Sequence, residues 1–115
     1  MTLRSARVLV LGHRGAPLRA TENTLEALGA ALDEGADGVE FDVRLCGSGA
    51  LVLCHDETLA RLSGAAVRVA SSSAWSLSRS ELGGRSRVPT LDGVLAMLAR
   101  RGAYANVELK SDAAG

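Results

Sequence analysis

From Gly38 to Leu45 the chain reads Gly-Val-Glu-Phe-Asp-Val-Arg-Leu, alternating apolar and charged side chains without a break. Successive side chains of a strand point to opposite faces, so Val39, Phe41, Val43 and Leu45 share one face and Glu40, Asp42 and Arg44 the other. The fold must bury the first face and find a role for the charges on the second. The surrounding segments narrow the choice. Arg7–Leu11 is a short β-branched and apolar run that predicts a strand buried on both faces. Asn23–Glu34 places Leu25, Leu28, Ala31 and Leu32 on one helical face, with N-capping hydroxyls at Thr21 and Thr24 and a stop at Gly35. Leu51–Cys54 predicts another strand, entered through Gly47-Ser48-Gly49. Pro89–Arg101 predicts a helix capped by Thr90, with Leu91, Val94, Leu95 and Leu98 on its apolar face and Gly102 at its end. Tyr104–Lys110 is a last strand, Val107 and Leu109 alternating with Glu108 and Lys110.

The intervening stretch, Glu57–Val88, is rich in serine and glycine and reads as an irregular insertion. Trp75 and Leu77 are expected to pin it to the body. One helical turn is expected over Ser78–Leu82, with Ser78 as cap and Glu81 at the capping-box position. The order is thus β, α, β, β, insertion, α, β, which suggests a parallel α/β sheet. The short link before Leu51 leaves two readings open. It is either a hairpin, or an extended stretch that descends before a short strand climbs back.

At 115 residues and 11.9 kDa this is a single small domain, and 47% hydrophobic residues suffice for a core. Thirteen basic and thirteen acidic residues cancel, and aromatics are 3%. That balance disfavours nucleic acid, which is usually held by basic excess and stacking platforms. No apolar run approaches the ~20 residues of an integral membrane segment. Arg4 and Arg7 interrupt Leu3–Leu11, and no small-residue cleavage site follows, so a signal peptide is not expected and the cytoplasm is. Cys46 and Cys54 read as two reduced thiols, a bridge across a tight turn being the lesser alternative.

Acidic and imidazole groups fall where the strands end. His13 and Arg14 follow the first strand, Glu40 and Asp42 share a face of the second, His55 and Asp56 close the third, and Glu108 and Lys110 share a face of the fourth. Ligands of parallel sheets bind at the strands' carboxyl ends. Each residue alone has a plain explanation as a turn or solvated-face residue; agreement at four strand ends is harder to dismiss. Glu40, Asp42 and Glu108 brought together would repel one another, and a hard divalent cation would relieve that. Two histidines supply a general base and a general acid. Arg14 and Lys110 could neutralise a phosphate. Together these describe phosphoester cleavage. A serine hydrolase is not indicated, because no Gly-x-Ser-x-Gly elbow is present.

The blocks His13-Arg14-Gly15, Glu22-Asn23-Thr24, Gly35-Ala36-Asp37-Gly38-Val39-Glu40-Phe41-Asp42-Val43, His55-Asp56, Pro89-Thr90-Leu91 and Glu108-Leu109-Lys110 resemble, in order and spacing, the glycerophosphodiester phosphodiesterases. The resemblance implies a TIM-type (β/α)8 barrel, of which this chain covers roughly the first four strands plus the family's insertion at 57–88, a cap over the substrate pocket. It implies hydrolysis of glycerophosphodiesters to sn-glycerol 3-phosphate and an alcohol. His13 and His55 would be the catalytic histidines, Glu40, Asp42 and Glu108 the ligands of Ca²⁺ or Mg²⁺, Arg14 and Lys110 the phosphate contacts, and Glu22 and Asn23 supports of the site. Thr21 stands where the family commonly has proline, and Cys46-Gly47-Ser48-Gly49 replaces its more usual Thr-x-Asp-Gly turn. Since such barrels typically need about 250 residues, the chain is expected to hold the N-terminal part of one domain, leaving open sheet edges that favour self-association. Two alternatives accompany this reading: a non-catalytic half-barrel that binds metal or a partner, and a phospholipid head-group phosphodiesterase of the sphingomyelinase D kind.

Overall fold

A computed structural model of the chain describes residues 8–83 and 86–111. The elements in chain order are β1 (Leu11–His13), α1 (Leu25–Asp33), β2 (Gly38–Leu45), β3 (Leu51–Leu53), α2 (Ala60–Ser63), a 3-10 turn (Val69–Ser71), α3 (Ala74–Ser78), α4 (Leu91–Arg101) and β4 (Tyr104–Leu109). β2 organises the sheet. β4 runs parallel along one edge, from Gly38↔Tyr104 to Val43↔Leu109. The other edge is shared: β1 pairs parallel with Gly38–Glu40, and β3 antiparallel with Val43–Leu45. The link left open by the sequence is therefore a hairpin.

The helices begin and end where their capping chemistry dictates. Thr24 caps α1, its hydroxyl accepting the Ala27 N–H at 3.3 Å. Thr90 caps α4, accepting the Gly93 N–H at 3.2 Å, and Gly102 ends that helix at a φ of 60°. Asp92 in its first turn and Arg100 and Arg101 in its last complement the helix dipole. Both helices cover the apolar face of β2, where Leu28, Ala31, Val39, Phe41, Val43, Leu53, Val94 and Leu98 form one buried cluster. Leu25 and Leu95, expected on those apolar faces, sit exposed at the rim, as does Leu45 where the hairpin leaves the sheet. Phe41 is wholly buried at the centre. Phe41→Ala is expected to cost about 3–5 kcal/mol, the usual range for a buried aromatic, read as a lowered urea midpoint at unchanged slope.

Four further expectations need correction. The first strand is not Arg7–Leu11 but Leu11–His13; Arg7 lies outside the described residues. The register on β2 sets its start, because β2 itself begins at Gly38, opposite Leu11. Val8, Leu9 and Val10 are exposed rather than buried on both faces. The helical turn expected at Ser78–Leu82 is instead α3, capped by Ser73, whose hydroxyl accepts the Ser76 N–H at 3.0 Å, with Ser78 as its last residue. Trp75 does not pin the segment. Leu77 turns inward, so Trp75, two residues earlier, lies on the far side of the helix, 71% exposed with the Arg79 guanidinium 5.0 Å from its ring centre. Finally, segment 57–88 has a core. Leu59, Val69, Leu77, Leu82 and Val88 pack with Cys46, Val52 and Cys54 of the hairpin.

The hairpin register also decides the thiol question. Cys46 bonds across to Ala50, and Cys54 across to Asp42. That places the cysteines four hairpin positions apart, roughly 13 Å at the usual rise, whereas a disulfide needs Cα atoms within about 7 Å. Both are free, and burial pushes the Cys54 thiol up to about 11.

Candidate functional site

Sheet register brings the polar groups together. Glu40 and Asp42 occupy the face of β2 opposite the core. β4 sets Glu108 level with Asp42, and β1 sets His13 level with Glu40. Residues level on neighbouring strands point the same way, so three strands supply one cluster. One oxygen each from Glu40, Asp42 and Glu108 lies within 4.8 Å of the others. His13, mostly exposed, holds Nε2 3.7 Å from Glu40 Oε1. Lys110 Nζ donates to Glu108 Oε1 at 2.8 Å.

The turn after β1 wraps around Asp42. Arg14 adopts a φ of 56°, which few non-glycine residues tolerate. Its N–H bonds the Glu40 carbonyl at 2.7 Å. Its Nε stands 3.3 Å from Asp42 Oδ2, and Nη1 a similar distance from Glu22. Gly15 follows at a φ of 86°, and a Cβ there would collide with the α1 backbone at Ala27. Asn23, also in the left-handed region, clasps Asp42 from both ends of its amide. Nδ2 donates to Asp42 Oδ2, and Oδ1 accepts the Asp42 N–H, each at 3.1 Å. Asn23→Ala orphans both groups in a buried place, so it is expected to destabilise the chain by on the order of 2 kcal/mol, measurable by urea unfolding.

The electrostatics suit a cation. Asp42 is 1% exposed, and its Oδ1 has no hydrogen-bond partner. Buried polar atoms are nearly always paired. Burial foremost, then the Asp42 charge, raises the Glu40 carboxyl above its ordinary value. Glu108, exposed, is held below its own by Lys110. An all-oxygen donor set with an orphaned carboxylate oxygen fits a hard divalent ion such as Ca²⁺ or Mg²⁺.

His55 stands on a second arm. Arg44 fixes its backbone, Nε and Nη2 donating to the His55 carbonyl at 3.1 and 2.7 Å. His55 Nδ1 lies 2.9 Å from Asp56 Oδ1. Asp56 Oδ2 accepts Arg61 Nε at 2.9 Å, and Arg61 grips both Glu22 oxygens at 3.0 and 2.7 Å. Glu22 meets Arg14, and Arg14 meets Asp42. A polar chain thus runs from His55 to the acidic cluster. Every residue expected at the site takes part in one arm or the other. Arg61 was missed, since it lies within the segment read as irregular, and nothing in its spacing marked it.

Arg61's hydrogen bonds hold Glu22 below its ordinary value against the opposing effect of burial. Asp56 is lowered by Arg61 first, then His55. Carboxyls lowered on folding contribute stability that is complete above their unfolded values, near pH 4. It drains away as pH falls through the lower folded values. Arg61→Ala is therefore expected to flatten the loss of stability below about pH 4, seen by comparing urea midpoints across that range.

Parallel strands joined through helices, with a polar cluster toward their carboxyl ends, place the molecule among the α/β proteins that bind ligands at that end of the sheet. The chain matches the Glycerophosphoryl diester phosphodiesterase family over residues 13–114 and belongs to it. A glycerophosphodiester phosphodiesterase of Caldanaerobacter subterraneus is 33% identical over 112 residues, covering 91% of this chain and 46% of its own. The crystal structure of one from Thermotoga maritima superposes with a TM-score of 0.83 at 39% identity, over 91% of this chain and 45% of that one. An Oleispira antarctica phosphodiesterase, solved in complex with the product sn-glycerol-3-phosphate, superposes with a TM-score of 0.84 at 31% identity, over 92% of this chain and 46% of its own. The neighbours are TIM barrels, and the chain spans about half their length. Among the described residues no helix is long and apolar enough to cross a membrane.

Proposed function

We propose that the site hydrolyses glycerophosphodiesters to sn-glycerol 3-phosphate and an alcohol with a divalent cation at Glu40, Asp42 and Glu108. The observation that carries this reading is the convergence of those three carboxylates, one oxygen from each within 4.8 Å of the others, beside a buried Asp42 whose Oδ1 has no hydrogen-bond partner. Family membership and the product bound to the Oleispira relative support the substrate class. When bound, Ca²⁺ or Mg²⁺ would supply Lewis acidity for a glycerol hydroxyl and a phosphate oxygen.

The chain's own groups divide the remaining work. Of His13 and His55, one takes the proton of the glycerol 2-hydroxyl as its oxygen bonds phosphorus. The other protonates the alkoxide as the ester bond to the head group breaks. Water then opens the cyclic phosphate to the 3-phosphate. Lys110 now answers Glu108, and Arg14 is engaged by Asp42 and Glu22. Both side chains would offer their positive charge to the phosphate from these positions. Segment 57–88 acts as the cap over the glycerol moiety.

The test is hydrolysis of glycerophosphocholine by the purified chain, with and without added Ca²⁺ or Mg²⁺, following glycerol 3-phosphate. Turnover that chelation abolishes is the expected result. Turnover untouched by chelation would overturn the cation's part. A folded chain with no turnover under any condition would show that this length does not assemble a working site.

A further inference from the structure

We infer that Arg61 is a positioning residue for His55: by clamping Asp56 and Glu22 together, it keeps the Asp56 carboxylate on His55 Nδ1 and leaves Nε2 bare. The inference rests on the reading of His55 as an acid–base group.

One guanidinium makes three hydrogen bonds here, Nε to Asp56 and both Nη atoms to Glu22. A planar fork can do this; an ammonium cannot hold both carboxylates in one geometry. The two partners come from distant parts of the chain, Glu22 before α1 and Asp56 after β3, and Arg61 itself sits on the short helix α2. Glu22 is well buried, whereas Asp56 is about a third exposed. Asp56 therefore depends on the clamp for its orientation more than Glu22 does. An exposed Asp beside a His has several rotamers open to it, and only one places Oδ1 2.9 Å from Nδ1. An ionised carboxylate accepts only, so the Nδ1 it faces carries the proton. The other nitrogen is then the one free to exchange a proton with a substrate. Glu22 also touches Arg14, so the same guanidinium ties the His55 arm to the acidic cluster.

The test reads the imidazole and not turnover, so failure of this inference and failure of the hydrolytic reading are told apart. The full chain is labelled with ¹⁵N-histidine, and long-range ¹H–¹⁵N correlations are recorded where imidazole is neutral. His13→Gln assigns the two rings. Wild-type His55 is expected to show a protonated Nδ1 and a bare Nε2. In Arg61→Ala the two nitrogen signals should converge as both tautomers populate, with the His13 pattern unmoved. Arg61→Lys should restore part of the separation. Glu22→Gln, nearly isosteric, removes the anchor charge without emptying the site; it should shift His55 the same way and keeps the test usable where Arg61→Ala does not fold. A wild-type His55 protonated at Nε2 would overturn the proposal. So would a pattern unchanged in whichever of these variants fold.

Discussion

Glu40→Gln is expected to remove divalent-cation binding while leaving the cation-free chain no less stable. The two halves of that result have one cause. Burial and the neighbouring Asp42 make the charge on Glu40 unfavourable when nothing opposes it. The amide removes that charge and keeps an oxygen where the Arg14 N–H, 3.3 Å away, can still reach it. What it cannot keep is an anionic ligand for a hard cation. Residues that merely support ligands are worth 10–100-fold in affinity, so losing a ligand should cost at least about 100-fold. Titration calorimetry with Ca²⁺ and Mg²⁺, beside urea unfolding in chelator, measures both. Unchanged affinity would strike Glu40 from the ligand set. A large loss of cation-free stability would mean that its charge is structural.

The parts legible in the sequence are those specified locally. The strict alternation of β2 announced both a buried face and the Glu40–Asp42 pair on the other. Thr90 announced the start of α4, because a capping hydroxyl acts within its own turn. For α1 the sequence offered both Thr21 and Thr24, and only Thr24 caps. The Thr21 hydroxyl donates to the Leu82 carbonyl, and Asn23, expected inside the helix, lies before it. Properties of pairing could not be read this way. β1 sits further along than its apolar run suggests because its extent is set by β2, far away in sequence. The coincidence of His13 with Glu40, and of Glu108 with Asp42, is likewise a matter of register.

The segment after Asp56 hid its order for a different reason. Its core residues Leu59, Val69, Leu77, Leu82 and Val88 are too widely spaced to show a period. They meet in one cluster with Cys46, Val52 and Cys54 of the hairpin, so no window of sequence displays the pattern. Arg61 was hidden in the same way: its partners are Asp56, nearby, and Glu22, 39 residues earlier. The ordered motifs pointed to the reaction class, but not to the polar chain that links the two histidine-bearing arms.

His13→Ala and His55→Ala, each made in a polypeptide that spans the whole barrel, are expected to lower kcat by on the order of 10²–10⁴ with cation affinity retained. The range is that of a positioned acid or base, and neither ring is needed to hold the carboxylates together. The two should differ in what else they disturb. His13 is mostly exposed, with its Nε2 3.7 Å from Glu40, so its removal should leave the rest of the site in place. His55 anchors one end of the chain through Asp56 and Arg61, and its loss frees Asp56. The double variant should fall well short of the product of the two single effects. Proton removal and proton donation serve one displacement, and groups that act as a unit are not additive. Single and double variants compared at saturating substrate and cation, with affinity measured separately, decide the matter. Fully multiplicative losses would place the histidines in separate steps, and a loss of cation binding in His13→Ala would make that ring a ligand.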